Sequence, residues 1–397
     1  MDQASNKKNG KTLLFLIILS LAGFVTSFGA HIIAVNLPGY AKIVGTGFLG
    51  IGILIAAYDL AEVVAKPVFG RIADRKGMKV TMIAGLLLFS FSSLLYLFLD
   101  PVFLIAVRLL QGMGAAAFSV ASMSLVAEYF KDDLEVPMGI YNAIKGLGYV
   151  ISPAIGGAIV FYSDFAYLLV ACFAVGLIVT VLAFLVPRDR GLKWDEDDDD
   201  DLKNILASFK DSRFLPWYLI TTVNMMFMGI LFGFLPVYLN VTGFDAVRAG
   251  LAVAAVALAF LMIQPLTGML SNKFGFSTVI YAGLVAEAVF LIAIPFTSGW
   301  LTVAAATLDA AGIGIVWTLS AVAVARAAND GEMGVAMGNL GSYKEIGDMA
   351  GPLTIGFISQ FVSLAAGFVV CGLLGLVVLA PLLLRSTGVQ RKVTDKV

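Results

Sequence analysis

The chain has 397 residues; 60% are apolar or aromatic and only 13% are Asp, Glu, Lys or Arg. That charge content is about half of the roughly 25% usual for a soluble domain. With a mean hydropathy of +0.95, it excludes a water-soluble fold, a disordered chain, a disulfide-rich secreted module and a nucleic-acid-binding protein.

A helix needs about 20 residues to cross the hydrocarbon core. Runs of that length and apolarity fall at about 13–38, 47–70, 80–99, 101–127, 137–161 and 165–186. Lys7, Lys8 and Lys11 precede the first run, whose apolar part is too long for a signal peptide and reads as an uncleaved span. A polar connection follows at about 187–214, containing Asp195-Glu196 and then Asp197 through Asp201. It reads as a solvated linker, because the alternating ligands and glycine turn of a calcium loop are missing. Leu202, Ile205, Leu206 and Phe209 then repeat at helical spacing beside Lys203, Lys210 and Arg213, the pattern of a short interfacial helix. Six further runs fall at about 215–239, 247–271, 278–297, 300–325, 334–358 and 361–384. Twelve spans leave no room for a sizeable soluble domain.

Basic residues set the orientation. With the N-terminus inside, twenty of the 26 lie in cytoplasmic tails and loops, two (Lys42 and Arg248) lie outside, and four lie within spans. Both termini are therefore expected in the cytoplasm of a multi-pass protein of the cell membrane. Cys172 and Cys371 sit inside apolar runs, which argues against a disulfide or a cysteine metal site, and no cofactor is expected. Gly10-Lys11-Thr12 resembles the end of a phosphate loop, but Ser5 stands where its earlier glycine is required. Without an ATPase signature, energy must come from a gradient.

The chain repeats itself. Leu37-Pro38-Gly39-Tyr40 recurs as Leu235-Pro236-Val237-Tyr238, and Pro67, Gly70, Asp74, Arg75 and Gly77 as Pro265, Gly268, Asn272, Lys273 and Gly275. Gly139, Lys145, Gly148, Pro153 and Gly157 recur as Gly338, Lys344, Gly347, Pro352 and Gly356. The offset stays at 198 or 199, which predicts two homologous six-helix halves, 1–186 and 215–397, joined by the linker 187–214. Parallel repeats of this kind place a substrate path between halves near the bilayer midplane, with alternating access by rocking.

Gly70, Asp74, Arg75, Gly77 and Lys79 follow span 2 in the spacing G-x-x-x-D-R-x-G-x-K. At this point the sequence resembles the major facilitator superfamily, and the resemblance covers essentially the whole chain. It implies an all-α membrane fold of twelve spans in two six-helix bundles. It also implies that this loop, through Asp74, helps lock the cytoplasmic side in the outward-open state. Arg108-x-x-Gln111-Gly112 on span 4 resembles a motif associated with proton coupling. Gly139, Gly148, Ser152, Pro153, Gly156 and Gly157 on span 5 resemble the antiporter motif of drug–proton exporters, departing at Ser152 where glycine is usual. The same glycines also suit a plain packing seam.

Ten ionisable groups lie well inside spans: Asp59, Glu62, Lys66, Arg108, Lys145, Glu287, Asp309, Lys344, Glu345 and Asp348. Each costs about 2.5–3.5 kcal/mol at a helix centre, so they must pair, face water or change protonation state. Asp59, Glu62 and Lys66 share one face of span 2, and Lys344 and Asp348 share one face of span 11 beside Glu345. Spans 2 and 11 face each other in the family, so a network between halves is expected, with a static salt-bridge cluster as the alternative. Asp59, Asp309 and Asp348 are the proton-carrier candidates; Arg108, which cannot practically deprotonate, is a fixed charge. Lys145 and Lys344 are repeat-equivalent and suit an anion clamp. His31, the lone histidine, is either pore-lining or a packing residue. Asn224 and Met225 on span 7, with Met228, Phe232 and Phe234, read mostly as packing or lipid contacts, and those that face the cavity suit recognition of apolar cargo. Glu287 has no assigned role.

The resulting expectation is a monomeric, proton-coupled secondary exporter of small amphipathic compounds. Its partners are substrate, protons and the lipid bilayer; nucleic acid and enzymatic chemistry are not expected. A carrier for a specific metabolite, an organic anion held by Lys145 and Lys344, is the alternative, and a membrane sensor lies outside transport.

Overall fold

A computed structural model describes residues 2–43, 45–130, 135–187, 210–328 and 333–377. The acidic run, the amphipathic stretch 202–209 and the C-terminal tail lie outside the described residues. The helices are α1 Asp2–Ile43, α2 Phe48–Lys76, α3 Met78–Leu95, α4 Leu104–Tyr129, α5 Glu135–Tyr162 and α6 Phe165–Ala183. They continue as α7 Leu215–Val241, α8 Ala246–Phe274, α9 Phe276–Ala293, α10 Trp300–Ala327, α11 Met333–Phe361 and α12 Leu364–Val377. No strand occurs among the described residues. The first ten are long and apolar enough to cross a membrane. The other two are α11, which carries Lys344, Glu345 and Asp348, and α12, described as far as Val377. Among the described residues the molecule is thus an all-α membrane protein whose twelve helices form two homologous sets of six.

Single residues turn the chain at equivalent places in both sets. Gly77, between α2 and α3, has φ of 104°, and Gly275, between α8 and α9, has φ of 87°. An L side chain is strained there, so the last glycine of the α2–α3 motif is fixed by backbone geometry.

Two compact units emerge from the packing. The first comprises residues 1–40, 57–194 and 246–254, and the second 41–56, 195–245 and 255–397. In the first, α3 packs against α4 and α6. A Cβ on Gly85 would lie 2.6 Å from the Phe118 nitrogen, so only glycine allows α3 and α4 to approach this closely. Phe89 and Phe118 meet edge-to-face at 5.6 Å within this core. In the second unit, α7 packs against α10 and α11, and α9 packs against α10. A Cβ on Gly312 would lie 2.7 Å from the Glu287 nitrogen, repeating the α3–α4 approach one repeat later. Lipid is as apolar as leucine, so close van der Waals packing through small residues holds such helices together. Val64, Phe98 and Met262 are exposed, as suits surfaces solvated by acyl chains.

Candidate functional site

The residues singled out by sequence gather into polar clusters, each within one unit. In the first unit the hub is Arg108 on α4, which is 1% exposed. Its Nη1 donates to Gln111 Oε1 at 3.0 Å, one turn along the same helix. Gln111 Nε2 donates to Ser93 Oγ at 2.9 Å, and the Tyr96 hydroxyl donates to Gln111 Oε1 at 3.4 Å. The guanidinium lies 4.7 Å from the centre of the Tyr58 ring. A desolvated cation–π contact contributes about 2 kcal/mol, and Tyr58 brings α2 into the cluster. On α2, Glu62 is buried and pairs with Lys66 at 2.8 Å, while its Oε1 has no hydrogen-bond partner. Asp59 lies half-buried one turn earlier.

His31 on α1 is half-buried, with Nδ1 2.8 Å from the Ser27 carbonyl oxygen. A carbonyl only accepts, so Nδ1 carries the proton and neutral His31 keeps Nε2 as its acceptor. Its ring lies 4.4 Å from that of Tyr149 on α5. Lys145, one turn before Tyr149, is half-buried and makes no ion pair among the described residues.

The span 5 motif is a packing seam with two sides. A Cβ on Gly148 would lie 2.8 Å from the Phe28 nitrogen, and one on Gly156 2.8 Å from Ile32 Cγ1, so both glycines admit α1. Gly157 and Pro153 instead meet the first residues of α8, with Gly250 Cα 3.2 Å from the Gly157 Cβ position. Gly139 faces open space, and Ser152 is buried with no partner for its hydroxyl. In the α2–α3 motif, Gly70 and Asp74 are half-buried and Arg75 is exposed. Lys79 donates to the Phe184 carbonyl at 2.8 Å and also to that of Val186. The motif thereby neutralises the C-terminal end of α6, a link that sequence reading missed and the helix dipole favours.

In the second unit, Lys344 Nζ lies 2.5 Å from Asp348 Oδ2 and 3.6 Å from Glu345 Oε1 on α11. Both acids neutralise this lysine, unlike its repeat equivalent Lys145. Met225 is buried, and a Cβ on Gly347 would lie 2.9 Å from its own Cβ. Asn224 is also buried: Nδ2 donates to Glu287 Oε2 at 2.5 Å and to the Ile313 carbonyl at 3.2 Å. Asp309, on α10 one turn before Ile313, is buried with no partner for either carboxylate oxygen. Glu287 therefore has a partner that sequence reading did not supply. One signal was available, since Gln111 plus the 198-residue offset is Asp309: one member of each cluster stands on an equivalent position.

The chain matches the family model described as Major Facilitator Superfamily over residues 19–263 and 218–396. It is 25% identical to an uncharacterized MFS-type transporter of Methanocaldococcus jannaschii, covering 90% of this chain and 94% of the relative. It is 26% identical to Multidrug resistance protein 2 of Bacillus subtilis, covering 93% and 95%. Among solved structures, it matches a bacterial homolog of the human lysosomal transporter Spinster, in an inward-facing and unoccupied conformation, with a TM-score of 0.78. That likeness has 16% identity over 95% of this chain and 97% of the other, and speaks to fold alone.

Proposed function

The chain belongs to the major facilitator superfamily, and from that premise we propose that it is a proton-coupled exporter of small, mostly amphipathic compounds. Its class is a multi-pass membrane transporter; coupling, cargo and direction are our reading. The observation that carries it is Arg108: a permanent cation removed from water on the R-x-x-Q-G motif, held by Gln111 and Tyr58. Glu62, buried with one unpartnered oxygen on the helix that carries Tyr58, Asp59 and Asp348 are the acids to which we assign the proton. The glycine seam of α5 and the likeness to a multidrug resistance protein support export.

In this reading the protein resides in the cell membrane as a monomer with both termini in the cytoplasm, and reaches its two sides by alternating access. Proteoliposomes with an imposed pH gradient provide the test. Dye or drug accumulation should follow the gradient, collapse with a protonophore, and fail in Arg108→Gln. Transport that ignores the gradient removes the coupling.

A second reading, an organic-anion carrier, draws on Lys145, which is half-buried and makes no ion pair among the described residues. Lys344 supports it less, because Asp348 and Glu345 already neutralise it. Loss of anion transport alone in Lys145→Gln favours this reading.

A further inference from the structure

We infer that Asp309 and Glu287, held by Asn224, form a proton-binding acid pair inside the second unit, carrying one exchangeable proton on Asp309. Its part in transport rests on the proton-coupled reading above; its occupancy does not.

All three side chains are fully buried, on α7, α9 and α10. Four of their polar atoms have no hydrogen-bond partner: Asn224 Oδ1, Glu287 Oε1 and both carboxylate oxygens of Asp309. Every one of the four is an acceptor when the acids are ionised, so what the cluster lacks is a donor. Both Asn224 bonds are already spent, on Glu287 Oε2 and on the Ile313 carbonyl. A proton on Asp309 turns one orphan acceptor into a donor in a cluster whose other unpartnered atoms, Glu287 Oε1 and Asn224 Oδ1, are acceptors.

Charge leads to the same answer. Asn224 bridges Glu287 to the Ile313 carbonyl, one turn from Asp309 on α10, and two like carboxylates buried in one site hold one proton between them. Burying an ion is costly even after relaxation. The neighbouring helices offer little to offset a second negative charge. From α9 the facing group is Glu287 itself, and from α7 it is Asn224, which is neutral. On α8 the charges Arg248 and Lys273 stand near the ends, with Lys273 over the Phe274 ring at 5.1 Å. On α11, Lys344 is neutralised by Asp348 and Glu345. Between the two acids, Asn224 selects the site of the proton: its amide donates to Glu287, which supports a charge there, whereas Asp309 receives no donor at all.

The repeat supplies an independent argument. The position equivalent to Asp309 is Gln111, a neutral amide whose Nε2 donates to Ser93. A protonated Asp309 restores a neutral donor at that place, while an ionised one does not. Unlike the amide, the acid can lose its proton when helix movement admits water, giving carboxylate and a proton released to solvent.

Infrared difference spectroscopy on the purified full-length protein tests the assignment. At neutral pH the wild type should show a protonated-carboxyl carbonyl band that shifts in deuterium oxide. Asp309→Asn, nearly isosteric and checked for monodispersity, should lose it, whereas Asp348→Asn should retain it. Asn224→Leu removes the donor to Glu287 and should add a second protonated-carboxyl band. A wild type without the band, or a band that survives Asp309→Asn, overturns the inference. So does a sodium-specific rise in thermal midpoint that disappears in Asp309→Asn, which would put a metal cation where we place the proton. In proteoliposomes, Asp309→Asn should abolish gradient-driven transport but retain counterflow exchange. If wild-type transport ignores the gradient, the exporter reading fails while the infrared band still decides the occupancy of Asp309.

Discussion

Gly250 and Pro153 stand so close that a Cβ on the glycine would collide with the carbonyl oxygen of the proline. One repeat away, Gly52 meets the carbonyl of Pro352 in the same way. The first contact lies within the first compact unit and the second within the second. Each joins a helix from one sequence half to a helix from the other, α8 to α5 and α2 to α11. Here the antiporter-like motif has a mechanical meaning, because its proline marks where a helix of the other half must be bare of side chain.

Gly250→Val and Gly52→Val should therefore be equivalent lesions. Backbone cannot move aside as a flexible side chain can, so each should cost about 1–3 kcal/mol by overpacking. A thermal midpoint in detergent reads the cost, and transport should fall in both variants. Gly268→Ala is the control, because a Cβ there meets nothing within 4 Å. If Gly250→Val matches that control, the close approach does not constrain the protein.

The Arg108 cluster yields a second prediction. Gln111→Leu removes the acceptor of the guanidinium and the donor to Ser93 together. Leaving a buried charge short of its partner costs about 1–3 kcal/mol or more. Arg108→Lys keeps the charge but loses the planar group over Tyr58. We expect Gln111→Leu to lower thermal stability and Arg108→Lys to lower gradient-driven transport more than stability. Arg108→Lys with full transport would show that any cation suffices at this position.

These clusters also show what a sequence makes legible. Apolar runs delivered the helices, because a bilayer imposes length and hydropathy directly. The turn at Gly77 and the seam at Gly148 and Gly156 were visible as motifs, since glycine is irreplaceable where φ is positive or backbones touch. Side-chain partners across helices were harder to read. Glu287 had no assigned role because its partner Asn224 lies 63 residues away, and no local period links α7 to α9. Lys79 read as the last residue of the motif after span 2, whereas its bonds to Phe184 and Val186 depend on how α3 and α6 come together. Only the repeat crosses such distances, and it does link Gln111 to Asp309.

Just before α7, Arg213 donates through its backbone nitrogen and its guanidinium to the Asp211 carboxylate, at 2.9 Å and 2.7 Å. The side-chain bond from Arg213 holds the Asp211 pKa below its ordinary value, against a smaller opposing effect of burial. A depressed carboxylate stabilises the fold above its unfolded pKa, and the contribution is lost as pH falls through the folded value. The thermal-midpoint difference between wild type and Asp211→Asn should thus be constant at neutral pH. It should shrink only below about 3.9, the unperturbed value. The pair is partly exposed, at 41% for Arg213 and 24% for Asp211, so solvent screening should keep the difference small. A difference that changes near neutral pH would assign the effect to another group.

Lys344 and Asp348 make the tightest ion pair on α11, at 2.5 Å, with side chains about a fifth exposed (23% and 19%). A hydrogen bond to a charged partner contributes about 1.5–3 kcal/mol, so Lys344→Asp should destabilise the protein by a comparable amount, leaving three acids along one stretch of helix. Exchanging the two residues, Lys344→Asp with Asp348→Lys, restores the attraction but moves the cation by one helical turn. If the pair is a static brace, the exchange should recover both thermal stability and transport. If the position of the charge matters for coupling, stability should return while gradient-driven transport stays low, and that is the outcome we expect. Recovery of transport by the exchange would reduce the pair to scaffolding. Recovery through Asp59→Lys or Glu62→Lys, combined with Lys344→Asp, would assign the working partner to α2 instead.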